Sequence, residues 1–135
     1  MERVVLAEEL PEGFPKKFFS DPLSGALVIF EGRPRNDGDI GALYYEVHDS
    51  MALKELKRIR EEALERFPVR EIFIFHRKGL VKVGETSFVV AVYAKHRKEA
   101  FECCSWVVDE VKKRVPIWKR EVKEDGSLGE WILGA

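Results

Sequence analysis

Residues 87–122 read SFVVAVYAKHRKEAFECCSWVVDEVKKRVPIWKREV, and this single run contains a strand, a helix and a second strand. Ser87 to Tyr93 is apolar and rich in β-branched residues, the composition of a buried strand. From Arg97 the pattern changes period. Ala100, Cys104, Val107, Val108 and Val111 recur at helical spacing, which predicts a helix over 97–114 with one apolar face. Pro116 cannot continue it, and Ile117 to Val122 is extended. Within this extended piece Ile117, Lys119 and Glu121 share one face, and Trp118, Arg120 and Val122 the other.

The flanking segments supply matching pieces. Glu71 to His76, rich in Ile and Phe, is predicted as a strand, and Lys78-Gly79 and Gly84-Glu85 bracket a short extended piece, Leu80 to Val83. Upstream, Ala52, Leu56, Ile59, Ala63 and Phe67 form a helical stripe, with Asp49 or Ser50 as cap and Pro68 as stop. Arg58–Glu62 and Glu62–Arg66 are predicted to pair on its other face. Ala42 to Val47 and the apolar run Ala26 to Phe30 read as strands. Val4 to Leu6 reads as a short first strand, and Pro15 to Ser20 as a short helix. Gly32 to Asp39 is a loop, Asp125-Gly126-Ser127 a turn, and Glu130 to Leu133 a final strand pairing back. From Ala42 onward the order is strand, helix, strand, strand, helix, strand. That order predicts an α+β fold, with two long helices on one side of a mostly antiparallel sheet.

A chain of 135 residues fits one domain, residues 1–135, with no internal repeat or linker. Lys and Arg number 23 against 24 Asp and Glu, so the net charge of −1 argues against a general attraction to nucleic acid or membrane. Any anion recognition is then local. No apolar run approaches the roughly 20 residues of a membrane span, and no signal-peptide pattern opens the chain. The expectation is a cytoplasmic protein. Cys103 and Cys104 are adjacent in the helical pattern and match neither a redox motif nor a zinc spacing, which makes them buried helix residues. His48, His76 and His96 are far apart, so no metal site is expected.

Local charge concentrates in Lys112-Lys113-Arg114-Val115-Pro116-Ile117-Trp118-Lys119-Arg120-Glu121, with five cations in ten residues. Lys112 continues the helical row Ala100, Cys104, Val108, whereas Lys113 is expected to pair with Asp109. A lysine at the edge of an apolar row either snorkels to water or points into a cleft, where partial desolvation favours its neutral form. Lys119, brought back by Pro116, reads from sequence as a surface lysine. His96-Arg97 opens the second helix, where backbone N–H groups and the dipole favour an anion; the alternative is a plain capping position. Arg33 and Arg35 lie on a glycine-bounded loop of the kind that holds ligands.

Taken in order, these motifs resemble a known family. They run Gly25-Ala26 to Phe30 with Gly32-Arg33-Pro34-Arg35-Asn36, Leu43-Tyr44-Tyr45-Glu46 with Met51-Ala52, His76-Arg77-Lys78-Gly79, Gly84-Glu85, His96-Arg97-Lys98-Glu99-Ala100-Phe101, and Pro116 to Glu121 with Asp125-Gly126 behind. Their order and spacing over residues 25–131 are similar to the large, catalytic subunits of molybdopterin synthase. The resemblance implies an α/β-hammerhead-like fold and a sulfurtransferase of molybdenum cofactor biosynthesis. The substrate would be cyclic pyranopterin monophosphate, and the product the molybdopterin dithiolene. Sulfur would arrive as a thiocarboxylate on the C-terminal Gly-Gly of a small ubiquitin-like carrier subunit. Two copies of the large subunit would form a central homodimer with one carrier at each outer end, a heterotetramer. Mapped by motif, Lys112 and Lys119 are the implied catalytic residues, and Arg35, His96 and Arg97 the implied substrate-binding residues. No cofactor is implied, and neither nucleic acid nor membrane is a partner. Pro34 departs from the family pattern, standing where an aliphatic residue is usual. The rival reading is a non-catalytic α+β module that binds a nucleotide or RNA through its basic C-terminal patch.

Overall fold

In the computed structural model, which describes Met1–Ala135, helix α2 spans Arg97–Arg114, the limits its periodicity predicts. The other elements are β1 (Val4–Ala7), β2 (Ala26–Gly32), β3 (Ile40–Val47), α1 (Asp49–Arg66), β4 (Glu71–Arg77), β5 (Gly79–Lys82), β6 (Phe88–Ala94), β7 (Ile117–Lys123) and β8 (Leu128–Leu133). The fold is α+β and mostly antiparallel, as expected, but the strands divide into two four-stranded sheets. One has the order β1-β4-β6-β2, the other β5-β3-β7-β8. The β1–β4 pairing is parallel, with Val4 opposite Ile74.

Both helices pack on the first sheet, α1 over β1 and β4 and α2 over β6 and β2. Ala52, Leu56, Ile59 and Ala63 of α1 meet Ala100, Cys103, Cys104, Val107 and Val111 of α2 in one core with the strands. Every residue of β6 is buried because the other face of that sheet is covered as well. Phe14 and Phe19 lie edge-on to Phe73, with ring centroids 5.6 and 5.7 Å apart. This cover corrects the expected helix over Pro15 to Ser20. The segment is a series of turns, with Lys17 N–H donating to Gly13 O at 2.9 Å and Phe18 N–H to Pro15 O at 2.9 Å. A segment this short closes too few helical bonds to offset nucleation, and the turns direct both aromatic rings onto the sheet.

Three local pairings also differ from the sequence reading. His48 caps α1, its Nδ1 accepting from Met51 N–H at 3.4 Å, and Asp49 sits inside the first turn. Arg114 reaches across from α2 to α1, bonding Glu55 and Glu62 at 2.7 and 2.6 Å as well as Glu110 on its own helix at 3.3 Å. Its planar fork of donors engages all three carboxylates. Glu62 is therefore taken from Arg58 and Arg66. Arg58 turns to Glu55 at 3.2 Å, and Arg66 lies over the Trp106 ring at 5.3 Å. Lys113 pairs with Glu110 at 3.3 Å instead of Asp109.

Cys103 and Cys104 are free thiols in the core. Burial pushes Cys103 up to about 12 and Cys104 up to about 11. The thiolate is the reactive form. In the folded protein both cysteines are expected to resist iodoacetamide at pH 7 over a time that alkylates the urea-unfolded chain completely. Labelling of either at the rate of a free thiol would contradict that placement. No group of three His, Cys, Asp or Glu side chains is placed to hold a metal ion, and no helix is long and apolar enough to cross a membrane.

Candidate functional site

The site forms where the end of α2 turns into β7. Val115 leaves helical geometry at φ −82° and ψ 129°, its N–H still bonded to Val111 O at 3.1 Å. Pro116 prevents further winding. The fully buried Ile117 then anchors the start of β7, which runs antiparallel to β3 with Lys119 opposite Tyr45. This sharp turn brings Lys119 back to Lys112. Both line a cleft of about 400 Å³, walled by Ile40, Leu43 and Ile132 and closed on one side by the loop after β2.

That loop carries Arg33 and Arg35. It is pinned by the buried Pro34, whose carbonyl accepts Gly84 N–H at 3.1 Å, and by Asn36, whose amide donates to Glu124 Oε1 at 2.9 Å. Pro34 thus serves as a fixed point, and Arg35 projects from it at the cleft mouth. The Arg35 side chain is 85% exposed and paired with Asp37 at 3.2 Å. The cleft lining holds four cations, Arg33, Arg35, Lys112 and Lys119, against two carboxylates, Asp37 and Glu121, and Arg33 pairs with Glu31 at 3.1 Å. A nearly neutral chain has therefore concentrated positive charge in one concavity, the local anion site its composition requires.

The sequence leaves Lys112 open between solvent and a cleft and gives Lys119 as a surface lysine; the structure separates them. Lys112 is exposed, and it is Lys119 that is half-buried. Burial holds Lys119 below the ordinary lysine value, the charge of Lys112 lowers it further, and Glu121 opposes them. The physical reason is topological. Lys119 belongs to β7, which lies between β3 and β8, so its side chain is enclosed by neighbours distant in sequence.

Near the lysines lies His76, to which the sequence analysis assigns no chemical role. It is fully buried on β4, its ring centroid 5.1 Å from that of Tyr45 and 5.3 Å from that of Phe88. Nδ1 is 2.7 Å from the Arg77 carbonyl, so Nδ1 carries the proton, and Nε2 has no partner. Burial lowers its pKa to about 4, and the charges of Lys119 and Lys112 act in the same direction. The available signal was its position, a polar residue ending the apolar run Ile72-Phe73-Ile74-Phe75.

His96 and Arg97 are not in this cleft. They open α2, and Lys112 lies in its last turn; at 1.5 Å per residue the helix separates Arg97 from Lys112 by about 22 Å. His96 makes no side-chain capping bond, its side chain is 70% exposed, and its Nδ1 is 3.9 Å from Glu99. Arg97 is exposed as well. One chain therefore brings together Lys112, Lys119 and Arg35, and leaves His96 and Arg97 on a separate surface.

Comparison with known proteins places this architecture. The family model described as MoaE protein matches residues 9–114. The chain is 52% identical over 118 residues to the molybdopterin synthase catalytic subunit of Pyrococcus abyssi, covering 85% of this chain and 78% of that protein. It is 42% identical over 113 residues to that of Thermoplasma volcanium, covering 82% of each. A chain in the crystal structure of molybdopterin synthase from Staphylococcus aureus superposes with a TM-score of 0.85 at 30% identity, over 95% of this chain and 94% of that one. With the family match spanning most of the chain and agreement in both sequence and fold, the protein belongs to the MoaE protein family.

Proposed function

We infer that the chain is the catalytic subunit of a molybdopterin synthase, a sulfurtransferase of molybdenum cofactor biosynthesis. The observation that carries the reading is the cation-rich cleft in which the half-buried Lys119 sits beside Lys112, with Arg35 at its mouth. Such a cleft suits an anionic substrate and an anionic sulfur donor. In this reading the substrate is cyclic pyranopterin monophosphate. The donor is the C-terminal thiocarboxylate of a small ubiquitin-like carrier ending in Gly-Gly.

Arg35 holds polar groups of the substrate at the mouth with its planar fork. The carrier tail extends to Lys112 and Lys119, which orient the thiocarboxylate, stabilise negative charge developing in the reaction and move protons. A lysine held below its ordinary value gives up its proton more readily than a fully solvated one. The sulfur attacks a substrate carbon while still attached to the carrier and displaces an oxygen substituent there; water then cleaves the thioester so formed, leaving the sulfur on the substrate and releasing the carrier as its free carboxylate, so no cysteine nucleophile is needed, in keeping with the burial of Cys103 and Cys104. For His96 and Arg97 to hold the phosphate of the same substrate, they must come from the second copy of the chain in a homodimer, because α2 is too long for one chain to supply both ends. The working assembly is then a heterotetramer, with residues 1–135 as one domain and the cytoplasm as its compartment.

The test mixes the protein with thiocarboxylated carrier and cyclic pyranopterin monophosphate, and detects the dithiolene product by mass spectrometry. Product is expected only when all three are present. Its absence with a carrier that is active towards another synthase would overturn the reading.

A further inference from the structure

Two buried polar side-chain atoms have no hydrogen-bond partner, the Tyr93 hydroxyl and His76 Nε2. Tyr93 packs with Phe14, Phe19 and Phe73 beneath the N-terminal segment; His76 adjoins the cleft. The His76 ring is fully buried between Tyr45 of the second sheet and Phe88 of the first, so it sits where the two sheets meet. Nδ1 is committed to the Arg77 carbonyl at 2.7 Å. Nε2 therefore carries the lone pair and can only accept. A buried acceptor without a partner is costly, and folded proteins keep few of them.

The surroundings of His76 decide which donor it can meet. The hydroxyls of Tyr45 and Ser87 are both used: that of Tyr45 is hydrogen-bonded to Ser87, and Ser87 Oγ donates to Gly32 O at 3.1 Å. Lys119 stands directly opposite Tyr45 in the β3–β7 pair. Such partners point to the same face of the sheet with Cβ atoms about 5 Å apart. The Lys119 stem thus runs beside the Tyr45 ring, and that ring is 5.1 Å from His76. The Lys119 charge also acts on the His76 ring, more strongly than that of Lys112. Lys119 has donors to spare. Its ammonium carries three N–H groups and makes one hydrogen bond within the protein, at 3.4 Å to a main-chain oxygen.

We propose, resting on the function inferred above, that His76 is a positioning residue of the sulfur-transfer site, its Nε2 accepting a hydrogen bond from the Lys119 ammonium when the cleft is filled. The half-buried Lys119 shares its donors with solvent. An occupant of the cleft excludes that solvent, and a donor turned inward then needs a protein acceptor. His76 supplies it. The change is a rotation of the flexible lysine stem; no covalent bond forms or breaks and no proton is transferred. With one N–H fixed by Nε2, the other two are directed to the thiocarboxylate. Burial keeps the His76 ring neutral down to a pKa of about 4, so Nε2 remains an acceptor throughout the neutral range.

Nitrogen NMR of the His76 ring reads this contact directly, because an imine nitrogen that accepts a hydrogen bond resonates upfield of a bare one. In the parent, adding the carrier that ends in Gly-Gly is expected to move Nε2 upfield. In Lys119→Met, which keeps the apolar stem without the ammonium, the same addition is expected to leave Nε2 in place. This comparison does not depend on any change at His76. In turnover, His76→Phe is expected to lower kcat about 10²-fold, the cost of a reacting group held out of place. Its KM for cyclic pyranopterin monophosphate and its affinity for the carrier should match the parent, with cooperative thermal unfolding retained at pH 7. His76→Gln, whose amide oxygen can accept near the position of Nε2, is expected to recover most of the rate. An Nε2 signal unmoved by the carrier in a parent that makes product, or moved equally in Lys119→Met, overturns this inference and leaves the function standing, as does full turnover by His76→Phe. Failure of the parent to make product with an active carrier overturns the function and this inference with it.

Discussion

Lys112→Ala is expected to remove nearly all dithiolene formation while leaving the fold and carrier binding in place. Loss of a preorganised cationic group at a centre of developing negative charge costs about 10²–10³ in rate. The fold should tolerate the change. Lys112 is exposed, it makes no ion pair, and alanine is the best helix former at such a position; surface substitutions of this kind stay within about 0.5 kcal/mol. The variant carries a second signature. The positive charge of Lys112 disfavours protonation of Lys119, so removing it lets Lys119 keep its proton to higher pH. The basic limb of any residual activity should therefore move to higher pH than in the parent. The measurements are product by mass spectrometry across pH, thermal unfolding and carrier titration. Full activity in Lys112→Ala would sink the assignment of this residue.

The second large effect is on stability in acid, through His76. Its folded pKa is lowered to about 4 from an ordinary value of 6.5, first by burial. Above pH 6.5 the ring is neutral in both folded and unfolded chains and contributes nothing to pH dependence. Below 6.5 the unfolded chain takes up a proton that the folded chain refuses, so stability is lost as pH falls from 6.5 towards 4. A shift of this size corresponds to about 3 kcal/mol lost across that window. In His76→Phe, which keeps an aromatic ring between Tyr45 and Phe88, this part of the acid sensitivity is expected to vanish. Urea unfolding of both proteins at pH 7 and pH 4 isolates the effect, because carboxylates that titrate in acid contribute equally to both. Parallel losses in the two proteins would show that His76 is not the group responsible.

Much of the fold was legible because its signals are local. The ends of α2 follow from the period of Ala100, Cys104, Val107 and Val111 and from Pro116, and strands β4 and β6 follow from unbroken apolar runs. The meeting of Lys112 and Lys119 was legible for the same reason, since a helix ended by proline and followed by a strand returns the chain on itself within a few residues. Other features depend on partners far away in the chain. The Arg114 fork spans to Glu55 and Glu62 at separations of 59 and 52 residues, which no i,i+4 rule anticipates. The expected helix at Pro15 gave way to turns because Phe14 and Phe19 cover Phe73, and that demand belongs to the sheet.

The sequence by itself determined the element order, the buried faces, the placement of a basic cluster on a helix–proline–strand turn and, through its motifs, the family. Each of these depends on spacings of a few residues, where backbone geometry leaves little choice. Only the tertiary structure decided which lysine is enclosed, that His76 lies near the pair, and that His96 and Arg97 open the far end of α2. Those outcomes depend on which strands become neighbours and on how burial removes water from a charge, and neither is a property of any short stretch of sequence.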